Sequence, residues 1–127
     1  MTEFLQVNEF AKDLKKLRKK FRNIDRDLEV FCKALQSELP NQLPGTVQIS
    51  GLGREISVPI FKVRHFRSRD LKRGSRSGIR IIYAFHSDRD EVMLIEIYYK
   101  GDKENEDHER IKRYFTSKPA KASETDF

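Results

Sequence analysis

Apolar residues along the chain change their spacing twice, first from a short run to a helical period and later to blocks rich in β-branched and aromatic residues. Phe4 to Val7 is the short run, and it ends at Asn8, a residue type that caps helix N-termini, so a brief strand leading into a helix is predicted. From Glu9 onward Phe10, Leu14, Leu17 and Phe21 recur at helical spacing, while Lys12, Lys15, Lys16, Arg18, Lys19, Lys20 and Arg22 cover the other sides. After a break near Asn23 the same period continues through Ile24, Leu28, Phe31, Cys32, Leu35 and Leu39 up to Pro40. Two helices joined by so short a connection predict an antiparallel hairpin.

Pro40 to Gly53 carries Pro40, Pro44, Gly45, Gly51 and Gly53 among scattered apolar residues, which predicts a connecting loop with at most one weak strand at Val47 to Ile49. Ile60 to Phe66, Ile79 to Phe85 and Val92 to Tyr99 then read as three strands, each bounded by turn-forming or charged residues. The link Arg67 to Ser77 is long and basic, and His86 to Asp90 is a short polar turn. Asp102 to Phe115 predicts a last amphipathic helix with Ile111 and Phe115 inward, and Thr116 to Phe127 a polar tail. The order predicts an α+β fold: an N-terminal strand and an antiparallel helical hairpin packed on a curved, mainly antiparallel sheet, with a short C-terminal helix. Its 127 residues support one core, so residues 1–115 form a single domain followed by the 116–127 tail.

Strand alternation sorts the side chains. Phe61, Val63 and His65 are predicted on one face, with Lys62, Arg64 and Phe66 on the other. In the next strand Ile79, Ile81, Tyr83 and Phe85 form the apolar set, and Arg80 shares the opposite side with Ile82 and Ala84. In the third, Met93, Ile95 and Ile97 would join the core while Glu96, Tyr98 and Lys100 project with Arg80. Packing the hairpin on the apolar face leaves Lys62, Arg64, Arg80 and Lys100 on an open one.

Charge makes that face more than a surface. The formal net charge is +6, and Phe61 to Arg80 alone holds eight Lys or Arg against the single acid Asp70. Such a balance attracts a polyanion, and nucleic acid or the ribosome leads the expected partners. Cations of the loop, Arg67, Arg69, Lys72, Arg73 and Arg76, are expected to extend the strand cations into one groove along a phosphate backbone. The single cysteine, Cys32, excludes an intrachain disulfide and a zinc site of paired thiolates, and its place in an apolar helical pattern reads as a small buried residue. Neither a leader-like N-terminus nor an apolar stretch of about 20 residues is present, so a cytoplasmic protein with no membrane partner is expected.

Four segments in order carry a family resemblance: Phe-Ala-Lys-Asp-Leu-Lys-Lys-Leu at Phe10 to Leu17, Phe-Lys-Val-Arg at Phe61 to Arg64, Ser-Gly-Ile-Arg-Ile-Ile-Tyr at Ser77 to Tyr83, and Ile-Glu-Ile-Tyr-Tyr-Lys at Ile95 to Lys100. Together they resemble the RelE/ParE toxin superfamily of type II toxin–antitoxin systems, over about Phe4 to Phe115, and the Ser-Gly-x-Arg-x-x-Tyr after a Lys-x-Arg strand is the most specific piece. The resemblance implies, for the RelE branch, a ribosome-dependent endoribonuclease that cleaves mRNA and inhibits translation, with no metal or other cofactor. It assigns Lys62, Arg64 and Arg80 to the surroundings of the scissile phosphate. It also implies a cognate antitoxin as partner, and a higher-order toxin–antitoxin complex on promoter DNA.

The implied reaction is attack of a ribose 2′-hydroxyl on phosphorus, which needs a base, cations for the phosphoryl oxygens and an acid for the leaving oxygen. Arg64 and Arg80 serve binding and charge stabilisation, since guanidinium keeps its proton and its planar fork suits phosphate. Lys62, expected among several cations, is the candidate base. Relatives often carry a proton-transferring Tyr or His near the start of the last helix; the tyrosine position falls near Asp107 here, so His108 is assigned instead, with Lys103 as a phosphate contact. Ile79 replaces a frequent aromatic before Arg80, and the Arg67 to Ser77 loop is longer than usual. Two alternatives stay open: a ParE-like inhibitor of DNA gyrase, and an inactive RNA- or partner-binding module of the same fold.

Overall fold

The computed structural model of the chain describes residues 2–71 and 77–115. The expected tail 116–127 therefore lies outside the described residues. Strand β1 (Glu3–Gln6) runs into helix α1 (Asn8–Arg18), followed by α2 (Ile24–Glu38), β2 (Thr46–Gln48), β3 (Ile60–Val63), β4 (Ile79–His86), β5 (Glu91–Tyr99) and α3 (His108–Phe115). The five strands form one sheet in the order β1-β5-β4-β3-β2, and only the β1–β5 pair is parallel. The predicted α+β class and the β3-β4-β5 meander hold. Among the described residues no helix is long and apolar enough to cross a membrane.

The sheet carries a core on each face. On one face Phe10, Leu14 and Leu17 of α1 and Phe31 and Leu35 of α2 pack against Phe61, Val63, Ile79, Ile81, Tyr83 and Phe85. These are the apolar sets that helical and strand periodicity pick out. Cys32 packs partly against this cluster, and burial pushes its thiol up to about 11, so it stays protonated. The other face, expected to be open, is roofed: Ile60, Ile82, Ala84, Ile95 and Tyr98 bury against Ile111 of α3 and against Leu52 from the loop after β2. Sequence alternation placed Ile82, Ala84 and Tyr98 on this face but not the cover over it, because Leu52 lies in a Gly-rich loop without periodicity and the inward side of the last helix does not tell which sheet face it meets.

Two strand assignments differ from simple alternation. β3 stops at Val63, so His65 is exposed and Phe66 turns inward to 1% exposure beside Phe31, the reverse of the expected sides. In β5 the register with β4 shifts between Ile82 and Tyr83, whose partners are Glu96 and Leu94. Ile95 is the extra residue of this β-bulge, and a bulge reverses side-chain parity across itself. Val92 and Leu94 therefore face the hairpin ahead of the bulge, and Ile97 and Tyr99 do so after it. Ile95 lies on the opposite face, and Met93, opposite Ala84, borders both clusters; of the three residues expected in the hairpin core, Ile97 alone lies wholly there.

The last helix begins six residues later than expected, at His108 instead of Asp102. Its start is set by Asp107, whose side-chain oxygen accepts the Arg110 backbone N–H at 3.1 Å, as an N-cap does. Arg110 also anchors the helix to the rest of the fold. Beyond the last β1–β5 pair, Gln6 with Leu94, the chain has turned into α1 and the β5 edge lacks a strand neighbour among the described residues. There Arg110 donates to the Ile95 carbonyl at 2.8 Å and to Asp13 at 2.7 Å, while Asp13 accepts the Ile97 N–H at 3.3 Å. Two side chains thus replace a strand, tying α1, β5 and α3 at one point.

Removing one partner of this pair strands the other charge at a site where Arg110 is only 8% exposed. Asp13→Ala is expected to lower the unfolding free energy by about 3 kcal/mol, read from urea denaturation. A loss under about 1 kcal/mol, the range of a surface pair, would show that the Asp13–Arg110 link does not hold α3.

Candidate active site

The roofed face holds the polar groups. Arg80 is placed there by the turn before β4. The Ser77 hydroxyl donates to the Phe66 carbonyl and accepts the Ile79 N–H, and Gly78 adopts φ +85°, a left-handed conformation that a side chain resists. The Gly78 carbonyl accepts the Lys100 N–H at 2.8 Å, which ties the turn to the end of β5. Arg80, the second residue of β4, then pairs in register with Tyr98 of β5, and its guanidinium reaches the Arg64 carbonyl at 3.0 Å. Lys62 projects from β3 opposite Ile82, one alternation step along β4 from Arg80.

Over these strands lies the segment from Lys100 to Asp107. It is pinned by Glu96, whose side chain is 1% exposed: one carboxylate oxygen accepts from Lys103, and the other accepts the Asp107 N–H at 2.8 Å. That contact delivers Glu106 to Lys62 of β3. Lys62 donates to one Glu106 oxygen at 2.9 Å, and the His108 Nε2 lies 2.8 Å from the other. Burial alone would raise the Glu106 carboxyl, but the hydrogen bonds from Lys62, His108 and its own backbone, with the Lys62 charge, bring it down to about 2. Beneath sits Tyr98, 5% exposed, with its hydroxyl buried and lacking a hydrogen-bond partner among the described residues. Burial, then the Glu106 and Glu96 carboxylates, push this phenol up, so it stays a neutral donor.

The expected site residues thus separate into groups. Lys62 and His108 meet at Glu106, and Arg80 contacts the backbone of Arg64, whose side chain is exposed. Lys62 is ion-paired, so the crowd of like charges that suggested it as a base is not its environment. Lys103 is held by Glu96, and its ammonium lies 5.6 Å from the Tyr98 ring centre. Lys100 is exposed at the turn after β5. Arg67 and Arg69 line a groove of about 920 Å³ against α2, with Val30, Phe31, Leu43 and Pro44, so they do not continue the Lys62 to Arg80 surface. In that groove Asp27 accepts the Arg69 N–H at 3.1 Å. Lys72, Arg73 and Arg76 lie outside the described residues.

Sequence reasoning overlooked Glu106 and Glu96 as site members. A carboxylate two residues before His108, next to a capping Asp107, is a weak signal, and nothing in the sequence links Glu106 to Lys62. Among the described residues no cluster of His, Cys, Asp and Glu is arranged to hold a metal ion.

A carboxyl held near 2 when folded, against an ordinary 4.5, stabilises the fold above about pH 4.5 and loses that contribution as pH falls toward 2. Glu106→Gln lacks this term, so its stability deficit relative to the parent chain, measured by urea unfolding, is expected to shrink steadily between those pH values. A deficit independent of pH would show that ionised Glu106 is not what the site stabilises.

No family model and no curated protein matches the sequence. Solved structures do match. The archaeal RelE of the RelE–RelB complex from Pyrococcus horikoshii OT3 superposes with a TM-score of 0.53 at 16% identity, covering 79% of this chain and 96% of that one. A metal-bound toxin from Helicobacter pylori gives 0.52 at 16% identity, covering 81% and 99%. Both likenesses extend over nearly the whole of the other protein, and the chain accordingly has the fold of the RelE toxins.

Proposed function

We propose that this protein is the toxin of a type II toxin–antitoxin system, an endoribonuclease that cuts mRNA on the ribosome and so stops translation. The observation that carries the reading is the convergence at Glu106, which joins Lys62 of β3 to His108 of α3, residues far apart in the chain. Arg80 and Arg64 stand at the same end of the sheet, joined through the Arg64 carbonyl. Fixed cations beside an imidazole suit phosphoryl transfer from a neighbouring 2′-hydroxyl. Lys62, Arg64 and Arg80 bind the phosphate and offset charge on its equatorial oxygens, and His108 moves the proton. The products are a 2′,3′-cyclic phosphate and a free 5′-hydroxyl. The likeness to a RelE crystallised with RelB supports a small antitoxin protein as partner.

The test is to mix the purified protein with ribosomes programmed with mRNA and to map new RNA ends. Cleavage in the A-site codon is expected, with Arg80→Ala slower by about 100-fold or more, the usual effect of removing one charge-stabilising donor. Intact mRNA together with loss of gyrase supercoiling would replace this reading with gyrase inhibition, and neither effect would leave a binding module.

A further inference from the structure

Resting on the reading above, we infer that Glu106 is a positioning residue that fixes the tautomer of His108, so that Nδ1 is the atom that takes the 2′-hydroxyl proton. The argument starts from hydrogen-bond capacity. An ionised carboxylate only accepts, and Glu106 lies 2.8 Å from Nε2, so Nε2 must carry its hydrogen. In the neutral ring the other nitrogen then holds the lone pair. Glu106 is itself fixed: its side chain is 10% exposed, and Lys62 occupies its second oxygen at 2.9 Å. His108 remains 46% exposed, which leaves its free edge open to a ligand.

Position along the chain adds a second constraint. His108 is the first residue of α3 and follows the capping Asp107, whose N–H is bound to Glu96. The backbone that follows Glu106 directly is thereby tethered through to His108, which sets the spacing of the Glu106 to His108 contact. A carboxylate behind a histidine also stabilises the imidazolium that forms when the ring accepts a proton. Lys62 stands beside the same carboxylate, on its other oxygen.

The step balances without a further reagent. The 2′-hydroxyl proton passes to Nδ1 as its oxygen bonds to phosphorus and the bond from phosphorus to the 5′-oxygen breaks. Water protonates the leaving oxygen, and the hydroxide formed takes the proton back from the imidazolium. Lys62, Arg64 and Arg80 neither release nor take up a proton in this scheme.

Two measurements separate this inference from the reading it rests on. Nitrogen-15 NMR of the imidazole, with the pH raised until the ring signals stop moving, is expected to show His108 with a protonated Nε2 and a bare Nδ1. In Glu106→Gln, a near-isosteric change, that single tautomer is expected to give way to a mixture. With ribosome-bound mRNA the same variant is expected to lose about 100-fold in kcat with KM little changed, since Glu106 acts through His108 and not on the RNA. A protonated Nδ1 in the parent protein would overturn the inference, as would a Glu106→Gln variant with unaltered tautomer and kcat. If the parent protein cuts no RNA, the ribonuclease reading fails while the NMR result still decides what Glu106 does to His108.

Discussion

The geometry of this molecule depends on one buried ion pair, Asp13 with Arg110, set against an edge of β5 that has lost its strand neighbour. A sheet edge inside a protein needs partners for its N–H and carbonyl groups, and here the partners are an α1 carboxylate and an α3 guanidinium. Burying two charges to do this gains little net stability, since desolvation offsets most of the attraction. Its effect is positional. Arg110 lies two residues after His108 and three after the helix cap, so fixing the guanidinium fixes the first turn of α3. A second tie, from Arg113 and Tyr114 to Glu9, holds the far end of the helix to α1.

From that anchor the site follows by short steps. Asp107 is held by Glu96, Glu106 lies beside it, and Lys62 of β3 meets the carboxylate so delivered. Lys62 is paired with Glu106, and Lys103 with the buried Glu96. The long-range field of the chain is still positive, with a net charge of +6. Attraction at a distance and chemistry at close range are therefore built from different residues: exposed lysines and arginines supply the first, while a few paired and oriented groups supply the second. The bulge at Ile95 contributes to the same end. By reversing parity midway along β5 it directs Leu94 to the hairpin core and both Ile95 and Glu96 to the α3 face.

Much of the fold was legible in the sequence because its causes are local. Periods of apolar residues placed α1, α2 and the three strands of the β3-β4-β5 meander, alternation put Lys62 and Arg80 on the face away from the hairpin, and glycine before Arg80 marked the turn that aims it. The same rules failed where geometry changed without a change in composition. Phe66 looks like a continuing strand residue, yet the strand ends at Val63 and the ring turns inward. Ile95 looks like its alternating neighbours, yet one extra residue in the ladder sends it to the other side. Asp102 to Asp107 has helical composition, but its backbone N–H and charges are spent on Glu96 and Lys62 instead of on a helix.

The sequence by itself determined the α+β class, the basic character of the region from β3 to β4, and which side of β3 and β4 carries Lys62 and Arg80, since periodicity and charge are properties of near neighbours in the chain. Tertiary structure alone decided that the second face is covered, that Arg67 and Arg69 belong to a groove on α2, and that Glu106 stands between Lys62 and His108. Those contacts join residues tens of positions apart, and their register is set by a bulge, a helix cap and the Asp13–Arg110 pair, none of which leaves a periodic trace. The cationic face is thus written in the sequence, whereas the carboxylate that organises it is placed by packing.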